Sequence, residues 1–202
     1  MLTVLHLSIV TAFIASTIDL SQVLQQEQSN PFNTNPVGSA QSLVKAREIG
    51  YALSNSLRFL FFWIFVAEPP KAERDTPNAR AGAHSGNWSV WGITGLILRW
   101  LSLALTLVVF VLQVVWRLDS SADGYTNAYS AESSIEVILS IILALKILLN
   151  CSHCTIVSKW ICLLDYLGFL LSLLLSLGLA VANITHCESL FGFIREMHGD
   201  MG

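Results

Sequence analysis

Five apolar runs, each close to the length that crosses a bilayer, alternate with polar stretches along the chain. They fall at about 2–20, 43–67, 88–116, 133–149 and 157–182, with polar loops at 21–42, 68–87, 117–132 and 150–156 and a short tail at 183–202. Roughly 20 apolar residues in a helix span a hydrocarbon core ~30 Å thick. The runs are continuous rather than alternating, which predicts helices and excludes the strands of a transmembrane barrel. The pattern therefore predicts an all-α, polytopic integral membrane bundle: one membrane domain with five transmembrane helices. An alternative keeps four spans and reads 2–20 as a signal peptide, with small residues near Ala15-Ser16-Thr17. Against it, no Lys or Arg precedes the apolar run, so the positive n-region of a secretory signal is missing.

The run at 43–67 carries the most polar groups within its span. Arg47, Tyr51, Ser54 and Arg58 recur at helical spacing, which places them on one face, with Glu48 and Asn55 beside them. A polar stripe on a membrane helix turns toward protein or water. Arg58 lies well inside, where a charge needs a partner or a snorkelling route to the headgroups. Glu68-Pro69-Pro70 ends the helix, because proline donates no N–H and restrains the residue before it. The segment 68–87, with its glycines and small residues, reads as a mobile polar loop, and His84 as a solvated residue in it.

The third run is flanked by Trp88, Trp91 and Trp116, as interfacial aromatic belts are. In the fourth, Glu132 and Glu136 suit the start of a helix, Glu136 reading equally as a carboxylate for proton transfer, and Lys146 near its end suits the dipole and can snorkel. In the fifth, Ser172-x-x-x-Ser176 permits close helix approach. The tail beyond 182 reads as a segment lying on the membrane surface.

Only 12% of the 202 residues are charged and 53% are hydrophobic, with a mean hydropathy of +0.60, as expected when charges are confined to loops and helix ends. The net charge of −3 and the lack of a basic stripe exclude nucleic acid as a partner. The side with the 68–87 loop carries Lys71, Arg74, Arg80, Lys146 and Lys159; the other carries Lys45, Arg47, Arg117 and Arg195. The positive-inside rule thus tips 68–87 toward the cytoplasm. Of the three glycosylation sequons, at Asn87, Asn150 and Asn183, only Asn183 would then face away from it.

Depth bookkeeping singles out three charges. Arg58, Arg99 and Asp165 each lie about 9–13 Å from the side of the 68–87 loop, at 1.5 Å per helical residue. They form a candidate buried layer in which Asp165 pairs with one arginine, leaving positive charge for an anionic lipid or small anion. Cys151, His153 and Cys154 form a Cys-x-x-Cys turn with a histidine, too few ligands for structural zinc, and equally readable as palmitoylated or plain thiols. No catalytic motif, P-loop or dinucleotide fingerprint occurs, so no enzyme activity and no cofactor are expected. Two functions remain: a non-enzymatic scaffold, assembly subunit or sensor fragment meeting other membrane helices, or a small transporter or lipid- or anion-binding protein using the Arg/Asp layer.

Overall fold

A computed structural model describes residues 2–28, 37–118, 122–154 and 158–199. Among the described residues there are helices and turns and no strand. The long helices are α1 (Leu2–Gln28), α2 (Val37–Phe65), α5 (Gly92–Leu118), α6 (Ala122–His153) and α7 (Lys159–Gly199). Between α2 and α5 lie two single-turn helices, α3 (Lys71–Arg74) and α4 (Pro77–Arg80), and a 3-10 turn at Trp88–Trp91. The chain is a helical membrane bundle. Four stretches are long and apolar enough to cross a bilayer, Leu2–Leu24, Trp88–Val115, Ala128–His153 and Lys159–Thr185. The fifth long helix, α2, is diluted by Lys45, Arg47, Glu48 and Arg58.

That least apolar helix lies between α1 and α5, and its aromatic end reaches α6 and α7. α1 and α5 pack along α2, α5 packs on α6, and α6 on α7. α6 also reaches α2 through hydrogen bonds from Asn55 and Asn150, and α7 reaches it through Phe169. The aromatic half of α2 fills the core: Phe59, Phe61, Phe62 and Val66 are buried among Leu139, Leu143 and Ile147 of α6 and Tyr166 and Leu173 of α7. Phe169 stacks on Phe65, with ring centroids 3.3 Å apart and planes 13° off parallel. The outward faces stay apolar, as at Ile93, Leu96 and Ile97 of α5 and Leu164, Leu171 and Leu175 of α7, all exposed. Such faces meet acyl chains in a bundle where lipid replaces water.

The helices run further than the hydrophobic pattern predicts. α1 continues to Gln28 and α2 begins at Val37, which shrinks the expected 21–42 loop; residues 29–36 lie outside the described set. α6 starts at Ala122 and ends at His153, so most of the 117–132 and 150–156 loops become helix, with 119–121 and 155–157 not described. The expected surface tail is instead a continuation of α7, whose 41 residues span roughly 60 Å at 1.5 Å each, about twice a hydrocarbon core.

The 68–87 segment is a folded cap, not a mobile loop. Thr76 caps α4, its Oγ1 accepting from Ala79 N and donating to the Glu73 carbonyl. The buried Glu73 carboxylate accepts from both Ser85 N and Ser85 Oγ at 2.9 Å. Asn87 caps the 3-10 turn and donates Nδ2 to the Gly82 carbonyl at 2.7 Å. Gly86 lies against the backbone of Glu68 so closely that a Cβ there would sit 2.1 Å from its carbonyl oxygen. Short side-chain caps supply what a polar composition conceals: each satisfies a helix-end group that would otherwise need water.

Candidate functional site: a polar column on α2

The polar stripe read from the sequence is the seam between α1 and α2. Ser8 Oγ donates to the Ser54 carbonyl and Ser54 Oγ to the Ser8 carbonyl, both at 2.8 Å. A Cβ on Gly50 would stand 3.1 Å from Ala15 Cβ, the close approach that small residues permit. Tyr51 Oη lies 3.3 Å from Ser16 Oγ. Toward the end of the seam Arg47 donates to Asp19 at 2.5 Å, Gln22 at 3.2 Å and Glu48 at 2.6 Å. Arg117 of α5 binds the second oxygen of Glu48, so Glu48 bridges two guanidiniums. Such charge-assisted pairs are the strong members of the hydrogen-bond range.

One to three turns deeper, α2 meets α5 and α6 through a second set. Arg58 Nη2 donates to Asn55 Oδ1 at 2.5 Å, and Asn55 Nδ2 donates to Glu136 Oε1 at 2.5 Å. Gln113 Nε2 of α5 donates to Glu132 Oε1 at 2.6 Å and reaches Glu136 Oε1 at 3.4 Å. Glu132, Glu136 and Gln113 are buried, at 4%, 8% and 2% exposure. Glu132 and Glu136 stand four residues apart and so share one face of α6, which is what lets one amide touch both. Glu136 and Glu132 are also the acidic groups whose field reaches Arg58. A crevice of about 310 Å³ between α1, α2 and α7 reaches Arg58 and is otherwise lined by Leu5, Phe61, Phe62, Gly168, Phe169 and Ser172.

The three charges matched by depth do not meet. Arg58 belongs to the column. Arg99 is exposed on the outer face of α5, its guanidinium 5.6 Å from the Trp63 ring and 5.9 Å from the Trp100 ring. Asp165 lines a small crevice with Pro69, Pro70, Lys71 and Arg74 under the cap. Among the described residues no ion pair joins Asp165 to either arginine. Equal depth fixes a level along the bundle and leaves the direction around each helix open. Arg58 donates to Asn55 of its own helix and through it reaches Glu136 of α6, a residue that its place near a helix start ties to the dipole. Gln113 and Glu132 were not singled out as site residues; an amide in an apolar span, facing a Glu-x-x-x-Glu pair in the next one, was the available signal.

The arrangement also changes the sign of the spare charge. The column holds three cations, Arg47, Arg58 and Arg117, and four carboxylates, Asp19, Glu48, Glu132 and Glu136. Four against three leaves one carboxylate in excess, whereas the Arg58, Arg99 and Asp165 layer would have left a cation.

A separate node lies near the cap. Lys146, 3% exposed, does not snorkel: Nζ donates to Asn150 Oδ1 at 2.6 Å and sits 5.1 Å from the Trp88 ring centroid. Asn150 in turn donates to the Val66 carbonyl at 2.9 Å, and Tyr166 Oη donates to the Glu68 carbonyl at 3.2 Å. Asn150 is thus fully buried in its sequon, while Asn183 is half-buried inside α7 rather than in a loop. Cys151 and Cys154 face inward and are buried, as is Cys162; His153 turns out and meets Trp91 edge-on at 4.6 Å. The Cys-x-x-Cys turn therefore splits, and among the described residues no three His, Cys, Asp or Glu side chains converge on a metal position. Burial also removes Cys151 and Cys154 from the surface that palmitoylation needs. In the cap, His84 is half-buried and not fully solvated, and this burial lowers its pKa from 6.5, Glu73 opposing the shift and Lys146 adding to it. Compared with protein-family models, characterised proteins and solved structures, the chain matches none of them.

Proposed function

We propose that the protein is a non-enzymatic, five-span membrane protein of the sensor or assembly-subunit kind, whose state depends on the ionic occupancy of the polar column. The observation that carries this reading is the Asn55–Glu136–Gln113–Glu132 network, largely buried where three helices meet, toward one end of the candidate spans. Ionisable groups there are costly and mark working sites by default. They also couple helices, because a change of charge on one member alters the hydrogen bonds of all three. The excess carboxylate favours a proton or small cation over the anion expected from an Arg/Asp layer. The cap, with Lys71, Arg74 and Arg80, is assigned to the cytoplasmic side by the positive-inside rule.

Amide hydrogen exchange of the full chain in liposomes, across pH and with Na⁺ or K⁺, tests the reading. Exchange along α5 and the first half of α6 is expected to change with ionic conditions. Exchange that stays uniform would leave an inert scaffold. A second reading, a lipid-binding protein or small transporter, draws on the Arg58 crevice, whose mixed apolar and cationic lining suits an amphipathic anion. Native mass spectrometry of the purified protein separates the two: a retained anionic lipid that is lost in R58Q supports the second.

A further inference from the structure

We propose that Glu132 and Glu136 together bind one exchangeable proton, and that this proton is the ligand of the column. The inference rests on the ion-dependent reading above and names its ligand.

The first support is geometric. Both carboxylates take hydrogen bonds from the single Nε2 of Gln113, at 2.6 Å and 3.4 Å, and both are buried. Two like charges this close and away from water repel strongly, and one bound proton removes that repulsion. The second support is independent of the acids. Gln113, 2% exposed, has a second polar atom, Oε1, that is buried without a partner. A doubly ionised pair offers only acceptors and cannot serve it, whereas a carboxyl O–H is a donor. Both acids meet the same end of the Gln113 amide, so a flip that exchanges Nε2 for Oε1 turns that end into an acceptor for a protonated acid. The Oγ atoms of Ser133 and Ser140 are also buried without partners, three residues before and four after Glu136 on α6. They are further places where a carboxyl proton finds an acceptor.

The surrounding charges fix the number of protons at one. α2 contributes Arg58, through Asn55, and Glu48, which is held by Arg47 and Arg117. α5 contributes Arg117 and the neutral Gln113; on α6 itself Tyr129 lies one turn before Glu132. The ionisable groups of α7 whose side chains are described, Lys159, Cys162, Asp165 and Tyr166, lie in its first turns, at the other end of the bundle. Arg117 acts on both Glu48 and Glu132, so the count runs over the whole column: Arg47, Arg58 and Arg117 face Asp19, Glu48, Glu132 and Glu136, and a single proton makes it neutral. Binding is proton transfer alone: hydronium gives H⁺ to one carboxylate oxygen, an O–H bond forms, and water leaves. Release restores one net negative charge where α2, α5 and α6 meet, which weakens their contact.

Infrared difference spectroscopy of the full chain in phosphatidylcholine liposomes, in H₂O and D₂O, tests this. A protonated-carboxyl C=O band that shifts in D₂O and vanishes as pH rises is expected in the natural sequence. It is expected to be lost in E132Q and equally in E136Q, because the remaining carboxylate is then balanced by Arg58, and to survive in E136D. A band missing at every pH at which the protein stays folded, a band that never titrates, or one that survives both single substitutions would overturn the proposal. Solid-state NMR of the natural sequence labelled at glutamate Cδ reads the same protonation without any substitution. A titrating band with unchanged hydrogen exchange would remove the sensor reading and keep the proton site; ion-dependent exchange without the band would do the reverse.

Discussion

The two halves of α2 hold the bundle together by different means. From Arg47 to Arg58 the helix meets its neighbours through directed polar contacts: Arg47 with Asp19, Ser54 with Ser8, Asn55 with Glu136. From Phe59 to Val66 it meets them by packing, with Phe61, Phe62 and Phe65 set against Phe169 and Tyr166. In lipid the distinction matters more than in water. Acyl chains compete well for an aromatic surface and poorly for a hydrogen-bonding group, so the polar half fixes which helices meet and in what register. The aromatic half supplies contact area and shape. A protein built wholly in the second manner would hold no buried charge.

The largest expected effect breaks the polar half. R58M removes the cation beside two buried carboxylates, and stranding one side of a buried charge set costs about 3–5 kcal/mol. Reversible unfolding in mild detergent reads it as a loss of stability, which adding E136Q is expected to relieve in part. F169A breaks the aromatic half. Its cost is expected at or below the roughly 3–5 kcal/mol of Phe→Ala in a soluble core, because lipid returns part of the transfer energy. F169L should recover most of it. Next comes S54A, which removes one of the paired serine bonds across the α1–α2 seam. About 0.6 kcal/mol is expected, the average for an interhelical hydrogen bond in a membrane.

The smallest effect lies outside both halves, in the cap. Burial holds the His84 pKa below its ordinary value, so the unfolded chain binds the proton first. The cap's stability is therefore fully present above the unfolded pKa of about 6.5 and erodes as pH falls from there through the lowered folded value. H84Q should flatten that slope in proteolysis of the cap while leaving any response of α5 and α6 intact. A slope unchanged by H84Q would place the titrating group elsewhere.

Much of this was legible in the hydrophobic pattern. The run at 43–67 stood out by its stripe, and Arg47, Tyr51 and Ser54 do face one neighbour, α1. Periodicity reveals which residues of a helix share a face, and a shared face tends to share a partner. It does not reveal which helix is that partner. Matching Arg58 to Asp165 by depth fails for this reason, since Asp165 turns under the cap and Arg99 turns outward beside Trp63 and Trp100. The cap was illegible for another reason: its order comes from Glu73, Thr76 and Asn87 bonding to nearby backbone, contacts that leave no periodic trace. Glu132 reads as an ordinary residue at a helix start, and Glu136 as either that or a proton-transfer carboxylate, because α6 begins at Ala122, about three turns earlier than its apolar run.

Double-mutant cycles on Arg58 test the central claim most directly. R58M combined with E136Q, and R58M combined with D165N, give two coupling energies from the same unfolding measurement. A buried polar column predicts coupling of about 1 kcal/mol or more between Arg58 and Glu136, and none beyond error between Arg58 and Asp165. Coupling to Asp165 that equals or exceeds coupling to Glu136 would contradict it.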